Sequence, residues 1–246
     1  MELYLFRHET FRNLYNCSYL SDEEWWARGK PDLLFGILIS TIGLVFTVVY
    51  IPCLIVLYKS KLFEHAGYKL MLYDAIAFAS NVFLHSSVTG YLSIIGAMPC
   101  PHVDAIYFIS LLIECIWTSQ SVGVIVLATN RCIELWKPRY LTEAFEGKKA
   151  YYWIGASILY SSCHLLFGRG LLFNSNAGHN WFPSPYTSVE GLNIDYKLYK
   201  NTFLLIHNFA TIVILTSIYS FLVGSIWWKA KSNGGSTKTQ KLVTYL

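Results

Sequence analysis

The chain has 246 residues, of which 54% are hydrophobic, 17% aromatic and 14% charged, with a net charge of +4. Soluble domains carry charge on about a quarter of their residues, so these numbers exclude a wetted globule, and they exclude disorder, which needs low hydrophobicity and high net charge. The basic residues are scattered between apolar runs, unlike a nucleic-acid footprint, and composition predicts a polytopic membrane protein.

Residues 1–32 read as a retained, polar, aromatic-rich extracellular tail. Their start, MELYLFRHET, has acids and bases where a signal peptide would be apolar. The pair Trp25 and Trp26 fits an aromatic belt at the membrane surface.

A membrane helix needs about 20 consecutive apolar residues. Charge-poor stretches predict five: 33–58, 70–97, 105–130, 150–168 and 201–228. The second and third hold one charge each, Asp74 and Glu114, and the fourth is short and polar in its middle at Ser161, Ser162 and His164. None shows the strict alternation of a barrel strand, and in hydrocarbon a helix satisfies its own backbone. The predicted fold class is an all-α, polytopic transmembrane helix bundle. Pro52 predicts either a kink near the end of the first span or a turn at the membrane exit.

Orientation follows the Lys/Arg bias of short loops. Twelve basic residues fall in the loops after spans one and three and in the tail after span five. Seven fall in the N-terminal tail and the other two loops. This predicts an outside N-terminus, a bundle over 33–228, and a cytoplasmic segment over 229–246.

Cys17 and Cys100 then fall on the oxidising side, where thiols can pair. Two readings stay open: a disulfide pinning the tail over the bundle, or two separate thiols. Asn16-Cys17-Ser18 is a glycosylation triplet, which makes Asn16 a candidate acceptor.

Ionisable residues inside spans are costly and are functional candidates by default. Asp74 has an alternative reading as a residue at the membrane interface. Glu114 lies 17 residues before Arg131, roughly 26 Å along a helix, in the outer half of span three. Trp117 and Thr118 share its face. Together they suit a cationic or hydrogen-bonding ligand; the alternative is a neutral acid bonded to a neighbouring helix. His164, His207 and Asn208 also fall in outer halves, as ligand contacts or as interhelical hydrogen-bond partners. Metal-ligand spacing, a nucleophile elbow and a Gly-rich phosphate loop are all missing from the sequence, so an enzyme reading, a metal or a cofactor finds no support. At the inner end of span three stands Asn130-Arg131-Cys132-Ile133-Glu134. Arg131 either snorkels to the surface or pairs with Glu134 three residues on, forming a latch.

The ordered pieces Tyr15-Asn16-Cys17-Ser18, Glu24-Trp25, Tyr50-Ile51-Pro52-Cys53, Gly67-Tyr68-Lys69-Leu70-Met71, Gly96 with Cys100, and Asn130 to Glu134 resemble the nematode serpentine receptor class T (Srt) chemoreceptors. Those are seven-helix G protein-coupled receptors. The resemblance is specific over residues 15–140 and general thereafter. It implies a chemosensory receptor in the plasma membrane of sensory cells, with an unknown small-molecule ligand and a heterotrimeric G protein as partner. It places Arg131 where rhodopsin-like receptors have the arginine of their Asp/Glu-Arg-Tyr motif. Asn130 replaces the acid there, and Glu134 becomes the candidate restraint. Two departures stand out. The 169–200 loop has no Cys, so the usual bridge from span three cannot form and Cys17 becomes the candidate partner of Cys100. The sequence also ends after five spans, at what reads as the opening of a sixth, which predicts a C-terminally truncated receptor. Two alternatives remain: a small five-span transporter or channel subunit, and a non-signalling receptor product.

Overall fold

The computed structural model describes residues 1–189 and 194–232. Three short helices open the chain: α1 (Glu2–Leu5), α2 (His8–Leu14) and α3 (Asp22–Ala27). Five long ones follow in the main body: α4 (Leu33–Lys59), α5 (Ala66–Ile94), α6 (Val103–Trp136), α8 (Ala150–Phe167) and α9 (Thr202–Ser232). A short α7 (Arg139–Glu143) sits between α6 and α8. Each of the five predicted spans falls on one long helix. Three of these, α4, the 3₁₀-extended α6 and α9, are long and apolar enough to cross a membrane. The other two are less apolar: α5 carries Asn81, His85, Ser86 and Ser87 in its middle, and α8 carries Ser161, Ser162 and His164.

The bounds shift at functional places. Helix α6 runs six residues beyond its predicted end at 130, so Arg131 and Glu134 stand on regular helix. Span two stops at Ile94 instead of 97, because Gly96 turns the chain at φ +67. A Cβ at Gly96 would also lie 2.7 Å from the Pro31 nitrogen, so glycine is required there for two reasons. Pro52 lies inside an unbroken α4, which removes the reading of a turn at the membrane exit. Of the 229–246 segment, residues 229–232 continue α9; the rest, with Lys238 and Lys241, lies outside the described residues.

Helix α4 buries only Gly36 and Gly43 and exposes most of its Leu, Ile, Val and Phe side chains. This inverts the soluble pattern, and an apolar surface so extensive needs lipid around it. Gly43 packs against Ser86, and Gly90 against Ser40. Small residues on both sides let two backbones approach, the usual basis of helix association in membranes.

The predicted polar tail is a correction. Residues 1–32 fold into a cap on one end of the bundle. Phe11, Tyr15 and Trp25 are buried there in one apolar cluster with Tyr107, Leu172, Phe173, Tyr186 and Tyr199. Trp25 is fully buried and its indole Nε1 donates to the Cys17 carbonyl at 3.1 Å, so it is a core residue of the cap and no membrane-surface anchor. A capping box between Ser21 and Glu24 starts α3. A disulfide joins Cys17 to Cys100. The 169–200 loop, read only as a loop, holds a hairpin of β1 (Leu172–Asn174) and β2 (Asn180–Phe182), antiparallel, with Phe173 opposite Trp181. Its turn uses positive φ at Gly178 and His179. The Tyr199 hydroxyl donates to the Leu14 carbonyl at 2.8 Å and the Tyr186 hydroxyl to the Asn16 carbonyl. Burial raises the pKa of both phenols and of Tyr15 above the ordinary tyrosine value.

Candidate functional site

A cavity of about 420 Å³ opens under the hairpin, between α5, α6 and α9. Glu114, Trp117 and Asn208 line it together with Asn81, Ile113 and Trp181. Glu114 is 6% exposed. Its Oε2 is held by His164 Nε2 at 2.9 Å, from α8, and accepts from Asn201 Nδ2 at 3.0 Å, from the start of α9. The Asn201 amide also donates to the Arg169 carbonyl at 2.6 Å. One carboxylate thus ties three helices and the capped end together. Its other oxygen, Oε1, has no hydrogen-bond partner of ordinary geometry among the described residues, although the Leu171 backbone N–H is directed at the carboxyl.

The remaining polar groups of the wall are partly used. Trp117 Nε1 donates to Asn208 Oδ1 at 3.0 Å, which leaves the Asn208 amide N–H groups for another acceptor. Asn81 Nδ2 donates to the Ile113 carbonyl at 3.0 Å, which leaves its Oδ1. Trp181 Nε1 donates to Thr89 Oγ1 at 3.0 Å.

The sequence candidates therefore divide. Glu114, Trp117 and Asn208 meet at the cavity. His164 is fully buried behind Glu114 and reaches the cavity only through it. Thr118 is also fully buried and donates to the Cys115 carbonyl at 3.0 Å. His207 Nδ1 meets the Tyr160 hydroxyl at 3.0 Å, an α8–α9 contact. Sequence reading passed over Asn81, Asn201 and Trp181, whose roles depend on which helices adjoin. Asp74 is 8% exposed with both oxygens unpartnered among the described residues, and lies against Gly123 of α6. It therefore packs inside the bundle against α6.

At the opposite end, Arg131 Nη1 pairs with Glu134 Oε2 at 3.1 Å, and Nη2 contacts Met71 Sδ at 2.9 Å. Asn130 is buried with its Oδ1 unpartnered among the described residues, facing Gly67. Asn130 and Glu134 line a smaller cavity of about 240 Å³ that opens toward α7. Asn16 is exposed in the cap, and its side chain accepts from the Ser18 amide at 3.0 Å. The described residues bring no three His, Cys, Asp or Glu side chains together as metal ligands.

Apolar helices with lipid-facing surfaces, a folded cap on one end and a buried polar cluster beneath it define a multi-pass helical membrane protein. The whole chain, residues 1–245, matches the family described as the serpentine type 7TM GPCR chemoreceptor Srt. It is 23% identical over 244 residues to "Serpentine receptor class T-55" of Caenorhabditis elegans, an alignment covering 98% of this chain and 64% of that protein. The chain belongs to the Srt chemoreceptor family. It spans 64% of the length of the curated relative it matches.

Proposed function

We propose that the chain acts as a chemosensory receptor with its cap outside the cell. A small molecule enters the cavity beneath the hairpin and meets Glu114, Trp117 and Asn208. The opposite end, with Asn130, Arg131 and Glu134, faces the cytosol and engages a heterotrimeric G protein. The observation that carries this reading is Glu114. An ionisable group in a span is expensive unless it has a task, and this one lines a cavity of small-molecule size with one oxygen unspent. The Lys/Arg bias supports the orientation, and an outside cap suits a disulfide. The family supports both the receptor role and the plasma-membrane location.

The Arg131–Glu134 pair would hold the inner end of α6 at rest. Asn130 stands where an acid usually restrains this arginine, and an amide cannot supply a counter-charge, so Glu134 takes that place. Asn16 is the proposed site of glycosylation. The test is a G protein activation reporter run beside an ion-flux assay in cells expressing the chain at the surface. Ligand-dependent coupling that Glu114→Gln abolishes at equal surface expression is the expected result. Ion flux without coupling would refute the receptor role and favour a transporter or channel.

A further inference from the structure

We infer that the cavity beneath the hairpin selects a small neutral molecule with a hydrogen-bonding group, and rejects both ammonium and carboxylate ligands. The inference rests on the proposed reading of this cavity as the ligand site. It starts from the charge balance of the wall.

Glu114 is the sole acid among the described lining residues. A buried carboxylate needs a counter-charge or a proton, because an unpaired ion in a low-dielectric interior carries a penalty of several kcal/mol. His164 meets that need from within the protein. Its ring nitrogen is 2.9 Å from Glu114 Oε2, and the imidazole has no exposed surface. A neutral imidazole donating to an ionised Glu114 would leave a net negative charge buried without a counter-charge, a penalty of several kcal/mol; one further proton on the pair brings it to zero net charge at the smaller cost, about 1–3 kcal/mol, of an Nδ1–H without a partner among the described residues. An arriving ammonium would find an acid whose charge is already closed. An arriving carboxylate would find no free cation among the described residues of the wall, since Arg169 donates to the Leu198 carbonyl and does not line it. Among the described lining residues, His85 is the one other titratable group.

The groups left unused are neutral or neutralised. Glu114 Oε1 and Asn81 Oδ1 can accept, and Asn208 Nδ2 can donate. Between them lie the faces of Trp117, Trp181, Ile113 and Leu204. An apolar body bearing an alcohol, phenol or amide satisfies such a wall. A charged group would lose its hydration shell without gaining a partner.

The test uses the chain in lipid nanodiscs, with empty nanodiscs subtracted to remove partitioning into lipid. Three probes share one ring: benzyl alcohol, benzylammonium and benzoate. Saturation-transfer NMR titrations give their affinities. Benzyl alcohol should bind saturably, and each ion should bind about tenfold more weakly or worse. Either ion binding as tightly as the alcohol overturns the inference while leaving the cavity reading intact. Saturable binding by none of the three overturns the cavity reading itself. His164→Asn removes the internal counter-charge and should bring benzylammonium to within about threefold of the alcohol, while benzoate stays weak. An unchanged ammonium-to-alcohol ratio in a folded His164→Asn protein overturns the role given to His164. Should that variant fail to fold, the three-probe series on the unaltered chain still decides the selectivity.

Discussion

Replacing Cys17 and Cys100 by serine should loosen the cap without unfolding the bundle. The bridge closes a sequence separation of 83 residues. In a free chain, the entropy of closing such a loop would be worth about 4.5 kcal/mol. Here α4 and α5 lie inside the loop, and they stay helical in lipid when the cap opens. The part freed when the cap opens is residues 18–32, with α3 released from its packing, and 95–99, about 20 residues, for which the same relation yields about 3 kcal/mol. The cap of the variant should therefore open about a hundredfold more often. Packing of Phe11, Tyr15 and Trp25 against Tyr107 and Phe173 remains, so the cap still forms. Hydrogen exchange read by mass spectrometry in nanodiscs is the assay. Peptides covering residues 11–25 should lose about two orders of magnitude of protection, while the middle of α6 keeps its own. Equal protection with and without the bridge would refute the reasoning, because packing alone would then hold the cap.

Three further outcomes follow from the same contacts. Trp25→Ala should cost the cap about 3–5 kcal/mol, and Trp25→Phe about 1–3 kcal/mol because the Cys17 carbonyl loses its donor; equal exchange effects from the two would remove the indole hydrogen bond from the account. Glu24 receives the Ser21 backbone N–H at 2.8 Å, and that bond, followed by the one from the Ser21 hydroxyl, holds its carboxyl below the ordinary glutamate range. Its support for α3 is therefore present above about pH 4 and is lost as pH falls through the depressed value; exchange at Trp25 and Trp26, corrected for intrinsic rate, should rise over that window, and a flat profile counts against the capping box. Glu134→Gln should raise basal G protein signalling by up to about fivefold, since a partly exposed pair contributes about 0–1 kcal/mol; unchanged basal activity at equal expression removes the latch.

The helices were legible because the bilayer is a simple solvent. Where hydrocarbon surrounds a segment, charge is excluded over its whole length, and a count of uncharged residues finds the rod. The cap was illegible for the complementary reason. Its core is assembled from residues far apart in the chain, such as Phe11, Tyr107, Phe173 and Tyr199, and its helices are too short for a periodic signal: α1 has four residues and α3 six. Polar residues between them made the segment look like a solvated tail. Trp25 misled by position, since an aromatic before a span resembles a surface anchor until its burial is known. The hairpin had only three residues per strand, below the length at which alternation can be read.

The candidate site was half legible, and Glu114 shows where the limit lies. Its rank followed from one rule: a charge inside a span must have a partner or a task. The rule names the residue and the question but not the answer. Trp117 and Thr118 looked equivalent, one turn along the same helix. Yet Trp117 bonds Asn208 at the cavity, while Thr118 turns to its own backbone, fully buried. Helical spacing places both near Glu114; only the positions of α8 and α9 separate them. His164 and Asn201 are 50 and 87 residues from Glu114, beyond any local pattern, and they convert a lone acid into a closed pair. Asp74 obeys the same rule with the opposite result: equally buried, it has Gly123 beside it and no donor among the described residues. Two acids that both fall inside predicted spans are therefore chemically unlike. The carboxylate that meets a histidine can stay buried as part of a neutral pair. The one that meets a glycine has nothing across from it to balance a charge.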